Sequence, residues 1–207
     1  MKKVITQILI WFFAILAVGY PLWTRFSNMP LELSESITSY LFPFFGLLMV
    51  SLLWLHSLLG ALEDWLRKYI PFDLFVQATA AVILISLIAH PLLLLISVNF
   101  SIKTVYAIYS MLFVWLGILS WTLLISYDVI KPFRKFPGVS KHWDKVLFIS
   151  NLGFLLSFFH SLNIGSDLQA QPLRGIWIFY GVTGAVAILY TYVIKPLRTK
   201  WIRNNKT

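Results

Sequence analysis

QATAAVILISLIAHPLLLLISV, residues 77–98, runs for 22 residues without a charge and carries one histidine, His90. At about 1.5 Å per residue a helix of that length matches the hydrocarbon thickness of a bilayer. A helix is also the form in which a lone apolar segment satisfies its own backbone polar groups away from water. A second run, ISNLGFLLSFFHSLNIGSD at 149–167, holds His160 in a comparable setting. Each histidine is followed by a polar turn, an apolar segment with Tyr and Gly, and a closely similar ending, VIKPFRK at 129–135 and VIKPLRT at 193–199.

The rest of the chain agrees with this reading. Of 207 residues, 59% are hydrophobic and 12% charged, about half the charge of a soluble domain. Six apolar spans are expected, near 4–24, 38–62, 74–98, 104–127, 145–163 and 175–194, joined by short polar stretches such as EDWLRKYIPFD and KPFRKFPGVSKHWDK. The fold class is therefore an all-α integral membrane protein, with 1–207 forming a single six-helix domain. The apolar stretch after Met1–Lys3 runs to Trp23 without a small-residue cleavage site, so it reads as a retained first span. The chain contains no cysteine, which removes disulfides, iron–sulfur clusters and thiolate-held heme.

Charge orients the spans. With the N-terminus inside, 14 of the 17 Lys and Arg residues fall on the inner side and only Arg25, Lys103 and Arg174 on the outer. This is a positive-inside pattern with both termini cytoplasmic. It accounts for the net charge of +9 without any nucleic acid partner; the inner loops meet lipid headgroups or an acidic protein.

An ionisable side chain within a span is costly and marks a functional site or an interhelical hydrogen bond. On this topology spans three and five run the same way, and His90 and His160 reach similar depth in the outer leaflet. Two imidazoles at one level suit axial ligation of one heme wedged between two helices. Phe158, Phe159, Leu87 and Leu94 offer apolar packing, and Ala89, Ser86, Ser157 and Gly153 leave room for a flat ring. Arg174 and Lys103, in the adjoining outer loops, are candidates to pair with propionates. Pro91 is expected to redirect the end of its helix and to free a carbonyl one turn back. His56 lies towards the inner leaflet, on the face of Gly60 and Glu63. It is either a histidine bonded to a neighbouring helix or a contact for a second heme, a quinone or a flavin. His142 and Asp167 read as solvated loop residues. Hydrolytic zinc, which usually takes three protein ligands plus water, finds no such set at this depth.

These segments resemble the ferric reductase-like transmembrane domain, the superfamily of ferric reductase and NADPH oxidase membrane halves and of the heme subunit of bacterial periplasmic methionine sulfoxide reductase. Its fifth span typically reads W-x-x-L-H, with another His thirteen residues on and then a polar turn. Here Trp143, His160 and the turn match, while Leu147 stands at the first ligand position. In span three His90 matches the outer ligand, and Gln77 stands thirteen residues before it. The likeness covers about residues 38–200. It implies one heme b on His90 and His160, with the inner pair missing, in a multi-pass protein of the bacterial inner (plasma) membrane. No G-x-G-x-x-G turn occurs, so electrons are expected from a separate cytoplasmic donor or flavin reductase, with a partner-borne flavin as a further cofactor. They would pass to an outer-face acceptor, making the chain a membrane subunit of an oxidoreductase. The competing class is a small transporter or channel using the same histidines as proton or metal-ion contacts.

Overall fold

The computed structural model describes residues 2–27 and 37–204, with backbone alone at 199, 200, 203 and 204. The stretch 28–36 of the first outer loop, the termini Met1 and 205–207 with Lys206, and the side chains of Lys200 and Arg203 lie outside the described residues. All the described elements are helical: α1 (Lys2–Ser27), α2 (Ile37–Leu66), α3 (Phe72–Ser97), α4 (Ile102–Ile108), α5 (Met111–Ile130), α6 (Pro137–Lys141), α7 (Trp143–Ile164), α8 (Leu173–Leu189) and α9 (Lys195–Asn204). Among them six are long and apolar enough to cross a membrane. Six crossings put both ends of the chain on one side.

One expectation needs correction. The fourth span does not begin at 104. Asn99 and Phe100 adopt left-handed backbone, φ 51° and 57°, and Ser101 then caps the separate short helix α4 by accepting from the Thr104 amide at 3.3 Å. The chain is extended at Tyr109, and the span proper is Met111–Phe133. The two VIKP endings also part company. After α5 the chain tightens into a 3-10 turn, Lys131–Phe133, whereas after α8 it widens into a π turn, Tyr190–Ile194, and continues as α9. Pro132 and Pro196 each lack the N–H that would bond one turn back. Their outside support differs: Arg134 of the first lies over the Trp143 ring of α7 at 4.7 Å, while in the second Lys195 pairs with Asp64 at 2.8 Å and the Asn151 amide donates to the Tyr192 hydroxyl at 3.1 Å.

Four helices form a ring in the order α2, α3, α5, α7, each packed on the next and α7 closing on α2. The closest pairings are the two antiparallel ones, α2 with α3 and α5 with α7, while α3 and α7 stand across the ring and barely touch. Helix α8 lies outside against α2 and α7, and α1 against α2 and α8. The Trp54 and Tyr180 rings stack at 4.0 Å between α2 and α8. The large apolar side chains left exposed, among them Ile8, Phe12, Ile15, Leu112 and Val182, face the lipid.

Two prolines inside spans create polar ties between helices. Pro91 cannot donate to the Leu87 carbonyl, and α3 nevertheless runs on to Ser97. The freed carbonyl accepts the Trp121 indole N–H of α5 at 3.0 Å. Pro21 frees the Ala17 carbonyl of α1 in the same way, and the buried Tyr180 hydroxyl of α8 donates to it. An interhelical bond in a membrane averages about 0.6 kcal/mol and reaches ~1.7. Trp121→Phe is expected to cost about 1–2 kcal/mol, because it also strands a carbonyl. In a Pro91→Ala background the restored N–H should reduce that cost to near zero. Reversible unfolding of the four proteins of this double-mutant cycle in mixed micelles checks it.

Candidate functional site

The site is built from two similar hairpins. In the first, His90 of α3 bonds through Nδ1 to the Phe42 carbonyl of α2 at 2.6 Å. In the second, His160 of α7 bonds through Nδ1 to the Phe113 carbonyl of α5 at 2.7 Å. A carbonyl oxygen only accepts, so in both rings Nδ1 carries the proton and Nε2 carries the lone pair. No hydrogen bond occupies either Nε2 among the described residues. Metal-bound histidines have this arrangement, with the far N–H held by a carbonyl or carboxylate that fixes tautomer and ring orientation.

Glycine makes the approach possible. Four residues after each accepting carbonyl stands Gly46 or Gly117, against which the imidazole lies. A Cβ on Gly46 would come within 2.9 Å of the His90 ring, and one on Gly117 within 2.5 Å of the His160 ring. The recurring unit is thus Phe-x-x-x-Gly on one helix and His on its antiparallel partner. It relates α2–α3 to α5–α7, which is a different repeat from the VIKP endings.

The two histidines are level. His90 follows Phe72 by 18 residues and His160 follows Trp143 by 17, about 27 and 26 Å along their helices. Both are half-buried, on helices that stand opposite each other across the ring. One turn inward of each stands a buried serine. Ser157 donates to the Phe154 carbonyl at 2.7 Å, whereas the wholly buried Ser86 hydroxyl has no partner. An orphaned polar atom one turn from an oriented imidazole fits a site that receives a group. Among the described residues no three His, Cys, Asp or Glu side chains come together. A bare zinc ion would want three or four such ligands; a heme needs only two axial nitrogens, and the donor set fits it.

The other expected residues divide. Arg174 lies half-buried in the first turn of α8, its Nη1 donating to the Leu168 carbonyl at 3.3 Å. Lys103 is exposed on α4. Both stand at the end of the bundle where the histidines lie. His56 is bonded to the neighbouring helix, its Nε2 2.7 Å from the Thr79 hydroxyl of α3. It sits ten residues past Gly46 along α2, about 15 Å from the level of the pair. His142 is exposed. Gln77 is exposed and Leu147 half-buried, and neither joins the histidines. Gly153 and Phe158 serve helix packing instead of lining a gap between α3 and α7. A Cβ on Gly153 would meet Leu124 of α5 at 2.9 Å, and Phe158 fills the space over Gly181 of α8.

Asp167 corrects an expectation: it is ion-paired with Arg25 of α1, whose side chain is only 4% exposed. Sequence reasoning missed this pair, because an arginine at the outer end of a first span looks like any interfacial charge. It also missed Gly46 and Gly117, whose signal is the repeated F-x-x-x-G placed 43–44 residues before each histidine.

No protein-family model, curated protein or solved structure matches this chain.

Replacing either cradle glycine forces the imidazole off its carbonyl. Gly117→Ala is expected to destabilise the protein by about 1–3 kcal/mol, the range for overpacking a close contact, and Gly46→Ala by less, in keeping with its looser 2.9 Å approach. Unfolding in mixed micelles gives the order.

Proposed function

We propose that this chain is a b-type membrane cytochrome, in which His90 and His160 hold one heme between α3 and α7. The observation that carries the reading is the matched pair of imidazoles, each with Nδ1–H given to a carbonyl and Nε2 left for a metal. When bound, the heme supplies a one-electron carrier inside the hydrocarbon layer. The chain's own residues do the remaining work. Phe42 and Phe113 fix the tautomer through their carbonyls, Gly46 and Gly117 let the rings seat, and the bundle keeps water from the site. Arg174 and Lys103 are the cations at the right end to meet propionates.

The ferric reductase-like likeness supports the same class and gives the direction of traffic: electrons enter from a separate donor or flavin reductase at the basic, cytoplasmic face and leave to an acceptor at the outer face. The inner-leaflet positions hold Gln77 and Leu147 where the family carries ligands, so one heme is expected. The setting is a bacterial inner membrane. Transport through the histidines is the weaker reading, since both Nδ1 protons are committed to backbone carbonyls.

The test is a reduced-minus-oxidised visible spectrum of protein purified from heme-replete membranes, with a pyridine hemochrome count. A b-type spectrum at one heme per chain is expected. It should be lost in His90→Ala and in His160→Ala and kept in His56→Ala. A colourless wild type, or heme retained in both single variants, would overturn the proposal.

A further inference from the structure

A second feature lies at the basic end of the bundle, where α1 packs on α2. A cavity of about 370 Å³ opens sideways between α1, α2 and the start of α3. Its walls are apolar, with Leu9 and Phe13 of α1, Leu55 and Leu59 of α2, and Phe75 of α3. The hydroxyl of Thr6, at its rim, is spent on the Lys2 carbonyl at 3.0 Å. The Gln7 side chain donates to the Tyr69 carbonyl at 2.6 Å and latches α1 to the α2–α3 connector.

Length and charge say what fits. From Thr6 to Ala14 the cleft follows nine residues of α1, about 12 Å of rise, close to the depth of one leaflet's hydrocarbon, half of about 30 Å. Its mouth is basic. Lys2 and Lys3 lie one turn before Thr6, and Lys68 lies two residues after Leu66; all three are exposed. The acids near the mouth are already engaged. Glu63 and Asp73 clasp Arg67 at 2.9 and 2.8 Å, holding its guanidinium above its ordinary basicity, and Asp64 is paired with Lys195. A positive rim over an apolar slot about one leaflet deep matches an amphiphile with one anionic end.

We propose that this cleft binds one acyl chain of an anionic glycerophospholipid, with Lys2, Lys3 and Lys68 meeting its phosphate. The site clamps α1 to the α2–α3 hairpin and so makes the stability of the bundle depend on lipid charge. It is independent of the heme reading and needs no heme for its test.

The full chain is delipidated in detergent, and phosphatidylglycerol or phosphatidylcholine with identical acyl chains is added back. Bound lipid is counted by native mass spectrometry. One phosphatidylglycerol per chain is expected, favoured roughly tenfold over phosphatidylcholine, as a few lysines at a membrane surface provide. The triple variant Lys2→Gln, Lys3→Gln, Lys68→Gln should bring the two lipids to parity. Leu59→Trp, which fills the slot, should lower occupancy by both roughly tenfold; Leu9→Trp fills it from α1 if the first variant does not fold. Equal binding of the two lipids by the wild type would overturn the proposal. So would unchanged occupancy in a folded slot-filling variant, or an isoprenoid quinone as the molecule that co-purifies.

Discussion

Every backbone carbonyl buried in a bilayer must find a donor, and among the described residues several carbonyls find one on a different helix. Two are freed by proline: Ala17 receives the Tyr180 hydroxyl and Leu87 the Trp121 indole. Two more, Phe42 and Phe113, accept from imidazoles. These bonds join α1 to α8, α3 to α5, α2 to α3 and α5 to α7. In a medium where apolar packing offers little driving force between helices, they fix which helices meet and at what height. The site is part of the same system, because the bonds that align the ring also set the tautomer of both histidines.

The ring explains why two hairpins, each able to hold one imidazole, have to come together. Neither α2–α3 nor α5–α7 presents two nitrogens by itself. Their union places α3 and α7 opposite each other with little direct contact. The Trp121–Leu87 bond, one turn inward of His90, fastens the hairpins at that level. Heavy side chains then surround the ring: Trp54 donates to Thr183 at 2.8 Å, and Trp177, wholly buried, donates to Ser161 next to His160 at 2.8 Å.

Much of this was legible from residues alone. The six spans follow from uninterrupted apolar length, which is a property of composition. The level of His90 and His160 follows from counting along helices that run the same way. Pro91 announced a free carbonyl, though not that an indole would claim it. What was hidden depends on partners distant in the chain. Gly46 has meaning only beside His90, 44 residues later, and nothing local to either residue states the pairing. The break at Tyr109–Ser110 was hidden for a different reason: hydropathy is blind to the extended backbone at Tyr109 that ends α4 within an apolar run. The VIKP repeat misled because identical letters met different neighbours, Asp64 and Asn151 supporting one copy alone.

The ion pair between Arg25 and Asp167 joins residues 142 positions apart. Arg25 is buried in the finished protein, with its Nε lacking any partner among the described residues, yet its helix is made long before Asp167. At about 5–20 residues per second, its carboxylate arrives on the order of ten seconds later. Through that interval the pair cannot form, and α1 carries a guanidinium without its carboxylate. The tie between α1 and the turn after α7 is therefore one that synthesis completes late.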